Sequence, residues 1–178
     1  MTAFTIEELD AAAAFDAVPQ LAGVLIDCVE GGASVSFMAP LSREKAEAFW
    51  KRVADAVARG EVALLAARDG DGEIVGTVQL QTALPENQPH RADVAKMLVH
   101  RRARRQGIAE TVLKELEAVA LRRGRWLLVL DTVTGGDAER LYTRLGWQTC
   151  GVIPDYALFP DGRPCGTTVM WKSLRAAT

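Results

Sequence analysis

The sequence predicts an α/β fold with a mixed, mostly antiparallel sheet and a β-α-β core. Two strand patterns flank the turn Asp69-Gly70-Asp71-Gly72, and this arrangement is typical of an antiparallel hairpin. Further along the chain, short apolar runs alternate with amphipathic helical patterns, which is typical of right-handed β-α-β crossovers. A chain of 178 residues has the length of one domain, and we expect residues 1–178 to form it.

The first half of the chain predicts one strand, a helical region and the hairpin. Residues Phe4 to Leu9 have the pattern of a short strand, and a helical region follows around Ala12 to Val29. Ser42 is a suitable N-cap for the next helix, whose apolar residues recur at helical spacing as far as Gly60. The two hairpin strands are predicted over Glu61 to Arg68 and Glu73 to Ala83.

The second half predicts the β-α-β core. Residues Val94 to Val99 have the pattern of a strand, and an amphipathic helix begins after Gly107. The run from Trp126 to Leu130 is short and continuously apolar, as expected for a strand that is buried on both faces. The remaining elements are predicted as a helix over Asp137 to Leu145 and strands near Trp147 and over Thr167 to Lys172.

Composition excludes several classes of protein. Hydrophobic residues make up 49% of the chain and the formal net charge is −2, which argues against a general nucleic-acid-binding protein. The three cysteines are far apart, so we expect neither a disulfide framework nor a metal site. No apolar run is long enough to span a membrane, and the first residues lack the pattern of a signal peptide. We therefore expect a cytoplasmic protein.

A cluster of arginines lies between the Val94–Val99 strand and the following helix. A strand, a basic turn with a glycine and a helix together form a site for a diphosphate, because the helix N-terminus presents unpaired N–H groups. Gly107 allows the backbone to approach such a ligand closely. The alternative interpretation is a solvated basic turn that a glycine merely shortens. Because the cluster is local, it suits a small anionic ligand.

This stretch resembles a known family. The spacing Arg104-Arg105-Gln106-Gly107-Ile108-Ala109 resembles the Arg/Gln-x-x-Gly-x-Gly/Ala signature of the GNAT N-acetyltransferases, and it lies between a strand and a helix as that signature requires. The resemblance implies the GNAT acyl-CoA N-acyltransferase fold and acetyl-CoA as cosubstrate, with Arg104 to Ala109 at its diphosphate. It also implies that Met97, Leu98 and Val99 pair through their backbone with the pantetheine arm, while their side chains pack as in any core strand.

A second signature of the family is found near the C-terminal helix. The stretch Ala138 to Trp147 resembles Asn-x-x-Ala-x-x-x-Tyr-x-x-x-Gly-Phe, and Tyr142 occupies the tyrosine position. The resemblance implies that Tyr142 protonates the departing thiolate of the coenzyme. The alternative is an amphipathic tyrosine at a helix edge. The asparagine of the signature is replaced by Gly135, so its contact with the coenzyme is missing or made by another group.

Two carboxylates are candidates for receiving the proton of an amine. Asp131 follows the Trp126–Leu130 strand, and ligands bind at such strand ends in α/β sheets. Its alternative role is to form a turn. Asp93 precedes the Val94–Val99 strand, where many relatives carry an acidic residue that acts through water. Its alternative role is a surface charge, and the sequence leaves the choice of base open.

Within the family, the chain is similar to acetyltransferases of the tabtoxin-resistance type. The similar stretches are residues 31–38, 91–94, 130–132, 154–156 and 160–162. The resemblance implies direct acetyl transfer to the amine of a small molecule, with a toxin or antibiotic of the tabtoxinine-β-lactam type as one acceptor. A protein or peptide N-acetyltransferase and a non-catalytic module that senses coenzyme A are the alternatives. We expect no nucleic-acid or membrane partner, and the sequence fits a monomer or a homodimer.

Overall fold

A computed structural model describes residues 4–175 of the chain. Five α-helices and seven strands occur in this part of the protein, together with a short 3-10 turn at Arg101–Ala103. In chain order the elements are β1 (Thr5–Leu9), α1 (Ala11–Asp16), α2 (Val18–Glu30), α3 (Arg43–Ala58), β2 (Val62–Arg68), β3 (Ile74–Gln81), β4 (Arg91–Val99), α4 (Ile108–Arg122), β5 (Leu127–Val133), α5 (Asp137–Arg144), β6 (Gln148–Leu158) and β7 (Pro164–Ser173).

All seven strands belong to one sheet with the order β1-β2-β3-β4-β5-β7-β6. Strands β4 and β5 run parallel to each other, and every other neighbouring pair is antiparallel. The prediction of a mixed, mostly antiparallel sheet with a β-α-β core is therefore confirmed. The parallel pair lies at the centre of the sheet, and helix α4 connects its two strands.

Two apolar cores cover the two faces of the sheet. Alternate residues of β2 show the division, since Leu64 belongs to one core and Leu65 to the other. Helices α1, α2 and α3 pack on the first face around the fully buried Trp50. Helices α4 and α5 supply the second core, which includes Leu116 and Tyr142. This arrangement leaves the edges of the central strands as the part of the sheet where a ligand can reach the backbone.

Helix boundaries agree with the capping signals in the sequence. The Ser42 hydroxyl accepts a hydrogen bond of 3.2 Å from the Lys45 amide and caps α3 as predicted. The predicted helical region around Ala12 to Val29 divides at Ala17 into α1 and α2. Pro19 lies in the first turn of α2, and a proline is tolerated there because its missing N–H would have no partner within the helix.

Two strands are longer than the apolar pattern indicates. Strand β4 begins at Arg91, so Asp93 lies within the strand and not before it. The Arg91 guanidinium forms an ion pair with Asp93, and this pairing allows polar residues to continue the strand. Strand β5 extends to Val133 and includes Asp131; only Leu128 and Leu130 are buried in it, so the prediction of continuous burial is only partly right.

The C-terminal hairpin differs most from the sequence prediction. Strand β6 has 11 residues and is exposed along nearly all of its length, so it lacks the apolar alternation by which a strand is recognised. Its pairing with β7 is irregular between Ile153 and Ala157, where Asp155 has a φ of 51°. Residues 154–156 and 160–162, two of the stretches that resemble the tabtoxin-resistance type, thus lie in a bulge and at the tip of a hairpin.

Candidate active site

Strands β4 and β5 diverge and open a cavity at the centre of the sheet. They pair only where Arg91–Asp93 faces Leu127–Val129. Beyond these residues β4 pairs with β3 alone and β5 with β7 alone, so one backbone edge of each strand is left to the opening. A cavity of about 810 Å³ fills this opening. Its volume is that of a site for an extended small molecule.

The β4 wall of the cavity contains the three residues predicted beside the pantetheine arm. Met97, Leu98 and Val99 all line the cavity, and the Leu98 side chain is at the same time buried in the core under α2 and α3. The Val99 carbonyl accepts a hydrogen bond of 3.1 Å from Arg104 Nε, so it already has a partner within the chain. Core packing and exposure of the strand edge therefore occur together in this segment.

Helix α4 begins at the mouth of the cavity. Gly107 is its N-cap residue with a φ of 83°, a left-handed conformation that glycine adopts at little cost. No side chain caps this helix end, so the first N–H groups of a 15-residue helix are left to a ligand. Ile108 is buried and contributes only its backbone, whereas Ala109 lines the cavity.

The side chains of the predicted diphosphate loop have different environments. Arg104 lines the cavity and its Nη2 lies 4.0 Å from the thiol of Cys28. Arg105, with a φ of 61°, and Gln106 are exposed beside Gly107. The pKa of Asp137 at the start of α5 lies below its usual value, mainly because of Arg140 but also because of Arg105 and Arg104. The loop and the N-terminus of α5 therefore lie close together at this end of the cavity.

The neighbouring arginines hold the loop in place. The Arg101 amide and Nε donate hydrogen bonds of 2.8 and 2.9 Å to the carboxylate of Asp27 in α2. Burial alone would raise the pKa of Asp27, but the hydrogen bonds from Arg101 outweigh it and hold this pKa below its usual value. Arg102 forms an ion pair of 2.7 Å with Asp69 in the β2–β3 turn. The basic cluster therefore includes residues that fix the loop to the scaffold.

Asp131 lies on the β5 wall, where this strand has separated from β4. Its side chain is open to the cavity, and its Oδ2 accepts a hydrogen bond of 2.9 Å from the hydroxyl of Thr167 in β7. The same hydroxyl lies 3.1 Å from the Thr132 carbonyl. Thr167 is buried, so it holds one oxygen of the Asp131 carboxylate in a fixed position while the other oxygen remains available.

Asp93 does not line the cavity. It lies in the part of β4 that pairs with both β3 and β5, and its carboxylate forms an ion pair with Arg91. The structure therefore brings Asp131 to the cavity and leaves Asp93 outside it. The reason is the early start of β4, which moves Asp93 from the predicted loop into the paired region of the sheet.

Tyr142 forms part of the opposite wall. It lies on α5, is only 5% exposed, and packs against Trp147 with a distance of 5.6 Å between the ring centres. Burial raises the pKa of Tyr142 well above its ordinary value, and the nearby Asp131 carboxylate raises it further. The phenol therefore keeps its proton. The ring of Tyr142 belongs to the core, and the residue also lines the cavity.

Gly135 occupies the position of the family's asparagine in the turn before α5. It has a φ of 75°. The Gly135 amide donates to the Glu139 carboxylate, and its carbonyl accepts a hydrogen bond of 2.7 Å from Arg140. The backbone at this position is thus bound within the chain, and it has no side chain with which to replace the asparagine contact.

Two segments that contact each other form a further part of the cavity wall. The loop of residues 31–41 contacts the tip of the β6–β7 hairpin. The Ser34 hydroxyl donates to the Leu158 carbonyl at 2.8 Å, and the Ala39 amide donates to the Pro160 carbonyl at 3.1 Å. Both segments contribute side chains to the cavity, among them Phe37, Met38, Tyr156 and Phe159.

Lys96 is a cavity residue that the sequence does not single out. It lies on the β4 wall, and its ammonium donates a hydrogen bond of 3.1 Å to the hydroxyl of Ser36 in the loop. A lysine within a strand pattern is typical of a solvated position, so no signal in the sequence predicts its place here. Among residues 4–175, no group of three or more His, Cys, Asp or Glu side chains is placed to hold a metal ion.

Two parallel strands that separate beside an uncapped helix N-terminus form a site that suits an extended ligand with a phosphate group. Residues 33–147 match the sequence profile of the acetyltransferase (GNAT) family. The chain belongs to this family, and it is an acetyl-CoA-dependent N-acetyltransferase. Over residues 4–175, none of the helices has the length and apolar character needed to cross a membrane.

Solved structures of acetyltransferases have the same fold. A candidate acetyltransferase from Acinetobacter baylyi ADP1 superposes with a TM-score of 0.81 at 17% identity, covering 99% of this chain and 96% of its own. A phosphinothricin acetyltransferase from Sinorhizobium meliloti, in complex with acetyl-CoA, gives 0.79 at 18% identity and covers 100% and 91%. A ribosomal-protein-alanine N-acetyltransferase from Brucella melitensis gives 0.77 at 23% identity and covers 96% and 99%. These identities establish the shared fold and not a shared substrate.

Proposed function

We propose that this enzyme transfers the acetyl group of acetyl-CoA directly to the amine of a small molecule. The observation that carries the proposal is the pair Asp131 and Tyr142, which line one cavity from different walls and are close enough for the carboxylate to raise the pKa of the phenol. A group that takes a proton and a group that gives one are what direct transfer requires. Acetyl-CoA supplies the activated acetyl thioester.

The coenzyme binds along the β4 edge with its diphosphate at the N-terminus of α4. The exposed amides near Gly107 and the uncapped helix end support this orientation. Residues Met97 to Val99 then accompany the pantetheine arm toward the centre of the cavity. A strand N–H near Leu98 or Val99 is in a position to stabilise charge that develops on the acetyl oxygen. Much of the rate acceleration then comes from positioning.

Asp131 receives the proton of the acceptor amine, directly or through water. Its fixed Oδ2 and open second oxygen suit this role, and its place at the point where β5 leaves β4 puts it between the two ends of the cavity. Asp93 has no such access, because its carboxylate is paired with Arg91 in the closed part of the sheet. Asp131 is therefore the base that we propose.

Tyr142 protonates the departing thiolate. The raised pKa of Tyr142 makes its phenol a weaker acid. The same burial also raises the pKa of the coenzyme thiol, so that its thiolate is a stronger base. When Asp131 takes up the proton of the amine, its negative charge disappears and no longer opposes ionisation of the phenol. The proton transfer from Tyr142 thus becomes easier at the moment when the thiolate forms.

The contacts between the loop of residues 31–41 and the tip of the β6–β7 hairpin favour a small acceptor over a protein. The Ser34–Leu158 and Ala39–Pro160 hydrogen bonds join the loop to the hairpin beside the cavity, and this leaves less room there for an extended peptide. The stretches that resemble the tabtoxin-resistance type favour a toxin or antibiotic that carries an amine as one such acceptor.

The test is an acceptor panel with free thiol and acetylated product measured together. The panel contains tabtoxinine-β-lactam, amino acids, polyamines, aminoglycosides and short peptides. A blank without acceptor is needed because Cys150 is exposed and reacts with thiol reagents. Turnover of a small amine supports the proposal, and preference for the peptides would replace it with protein acetylation. Binding of acetyl-CoA without any turnover would instead indicate the sensing module.

A further inference from the structure

Lys96 owes its position to an irregularity in β4. The β3–β4 register pairs Gln79 with Ala95 and Thr77 with Leu98, so two residues of β4 face the single residue Val78. Lys96 is one of the two and has a φ of 51°, a left-handed conformation that residues with a side chain rarely adopt. A bulge of this kind redirects a side chain, and strained residues that persist are concentrated at functional sites. Here the redirected side chain is a lysine in the cavity wall.

The Lys96 ammonium has little within the chain to balance its charge. It donates to the Ser36 hydroxyl at 3.1 Å and lies 5.6 Å from the centre of the Phe49 ring. Within residues 4–175, no carboxylate comes within 4.0 Å of it. Burial lowers the pKa of Lys96, and the Asp131 carboxylate only partly offsets this effect from across the cavity. An anion bound beside the ammonium would stabilise its charged form.

Ser36 adds a second donor at the same point. It too has a left-handed backbone, with a φ of 77°, and it lines the cavity with Lys96. A hydroxyl has one proton and two lone pairs, so Ser36 can accept the hydrogen bond from Lys96 and still donate its own proton. Two donors that share one point of the wall, one of them charged, are arranged to bind an anion.

We propose that the acceptor carries an anionic group together with its amine, and that Lys96 and Ser36 bind the anion while Asp131 takes the amine. This inference rests on the proposed function and narrows it to zwitterionic acceptors, such as amino acids and aminophosphonates. The two charges of such a molecule match the positive and negative groups on the two walls of the cavity, β4 for Lys96 and β5 for Asp131.

A purely structural lysine would hold the loop of residues 31–41 against α3 through Ser36 and Phe49. Lys45 provides the comparison, because its ammonium lies 5.9 Å from the centre of the Phe37 ring but the residue does not line the cavity. The variants Lys96→Met and Lys45→Met therefore remove the same charge beside neighbouring aromatic rings. Only the first removes a group that an acceptor can reach.

The experiment compares acceptors that differ only in their anion. Each amine is used as the carboxylate, the phosphonate and the neutral amide, and kcat/KM is measured for the wild type and for Lys96→Met, Lys45→Met and Lys96→Arg. We expect the wild type to prefer an anionic form at least about thirtyfold, since an ion pair in a partly buried site contributes about 2 kcal/mol or more. Lys96→Met should reduce this preference to within about threefold because the KM of the anionic acceptor rises, while the KM for acetyl-CoA stays unchanged. Lys45→Met should keep it, and Lys96→Arg should restore part of it.

A wild type that treats amide and anion alike, or a Lys96→Met variant that keeps the preference, would overturn the inference while leaving the acetyltransferase intact. If no amine is turned over, the proposed function fails, and calorimetry on the protein with coenzyme A still tests Lys96. Binding of an N-acetyl amino acid to the wild type but not to Lys96→Met supports the anion site. Equal binding of the acid and its amide contradicts it.

Discussion

The end of the cavity that we propose for the coenzyme is built mainly from one continuous stretch of chain, whereas the proposed acceptor end is assembled from several separated segments. Residues 97–109 supply the β4 edge, the loop and the helix N-terminus at the coenzyme end. The acceptor end combines the loop of residues 31–41, the bulge at Lys96, Asp131 on β5 and the tip of the β6–β7 hairpin. Long-range hydrogen bonds, and not sequence proximity, bring these parts together.

The two ends also use different chemical groups. The coenzyme end relies on main-chain N–H groups, which every residue except proline possesses, so most side chains there are replaceable. The acceptor end and the point of reaction rely on individual side chains that nothing else in the cavity can replace. We therefore expect single substitutions to be costly for turnover near Asp131 and Tyr142. At the coenzyme end we expect a single substitution to reduce turnover strongly only where the backbone conformation is one that residues with a side chain rarely adopt.

The largest effect is expected at Tyr142. The variant Tyr142→Phe removes only the hydroxyl and keeps the ring that packs on Trp147. If the phenol protonates the thiolate, kcat should fall by roughly 10²–10⁴ with an unchanged affinity for acetyl-CoA. Steady-state kinetics and calorimetry measure the two quantities. A loss of less than about threefold would remove Tyr142 from the role of general acid.

The same residue makes a prediction for the pH dependence of the wild type. The pKa of Tyr142 is raised above its ordinary value by burial and by Asp131, so the phenol stays protonated into alkaline solution. The rate should therefore not fall through ionisation of this group between about pH 8 and about pH 10. A decline in that range that is absent from Tyr142→Phe would contradict the raised pKa.

The next effect distinguishes the two carboxylates. Asp131→Asn keeps the shape of the side chain but cannot take up a proton, and we expect kcat to fall by roughly a hundredfold or more. Asp93→Asn is the matched control, because it weakens an ion pair with Arg91 outside the cavity. Its kcat should remain within about threefold of the wild type, since a partly exposed ion pair contributes about 1 kcal/mol or less to stability. The reverse order of effects would restore Asp93 as the base.

A smaller effect, confined to coenzyme affinity, is expected at Gly107. Gly107→Glu places a negative side chain at the mouth of the cavity and forces a left-handed conformation, and both changes should weaken acetyl-CoA binding by about tenfold to a hundredfold. Gly124→Glu is the control at the other end of α4. Gly124 has a φ of 70° and equally open space, so the strain is the same but the ligand is remote. Equal affinities of the two variants would contradict the placement of the diphosphate.

The sequence predicts the fold well because most elements have local signals. The Asp69–Gly72 turn, the Ser42 cap and the apolar periodicity of α4 depend on neighbours in the chain, and the structure confirms each of them. Strand β6 is the exception. It is exposed and kinked by Asp155, so only its pairing with β7 makes it a strand.

A residue of the site can be predicted from the sequence to the extent that its position depends on its neighbours in the chain. Gly107 is recognised because a helix N-cap at positive φ requires a glycine near that position. Lys96 is not recognised, because its place in the cavity depends on a bulge that appears only when β3 pairs with β4. The choice between Asp93 and Asp131 likewise depends on where β4 and β5 separate. Positions that depend on strand pairing are therefore the ones that sequence patterns leave open.

The smallest effect concerns Thr167, which positions Asp131 without touching the reacting atoms. Its hydroxyl donates to Asp131 Oδ2 at 2.9 Å, and Thr167→Val removes that bond while keeping the shape of the side chain. One neutral donor contributes about 1 kcal/mol, so kcat should fall by about fivefold. Thr168→Val is the control on the next residue, since its hydroxyl pairs with that of Thr134 and it does not line the cavity.

A structural role alone for Thr167 would lower the free energy of unfolding equally in both variants and leave kcat unchanged. A positioning role predicts that only Thr167→Val loses turnover and that Thr167→Ser, which keeps the donor, recovers it. Thr167→Val should also have no further effect in the Asp131→Asn background, because the carboxylate that it positions is then absent. Additive losses in that double variant would mean that Thr167 acts on the cavity independently of Asp131.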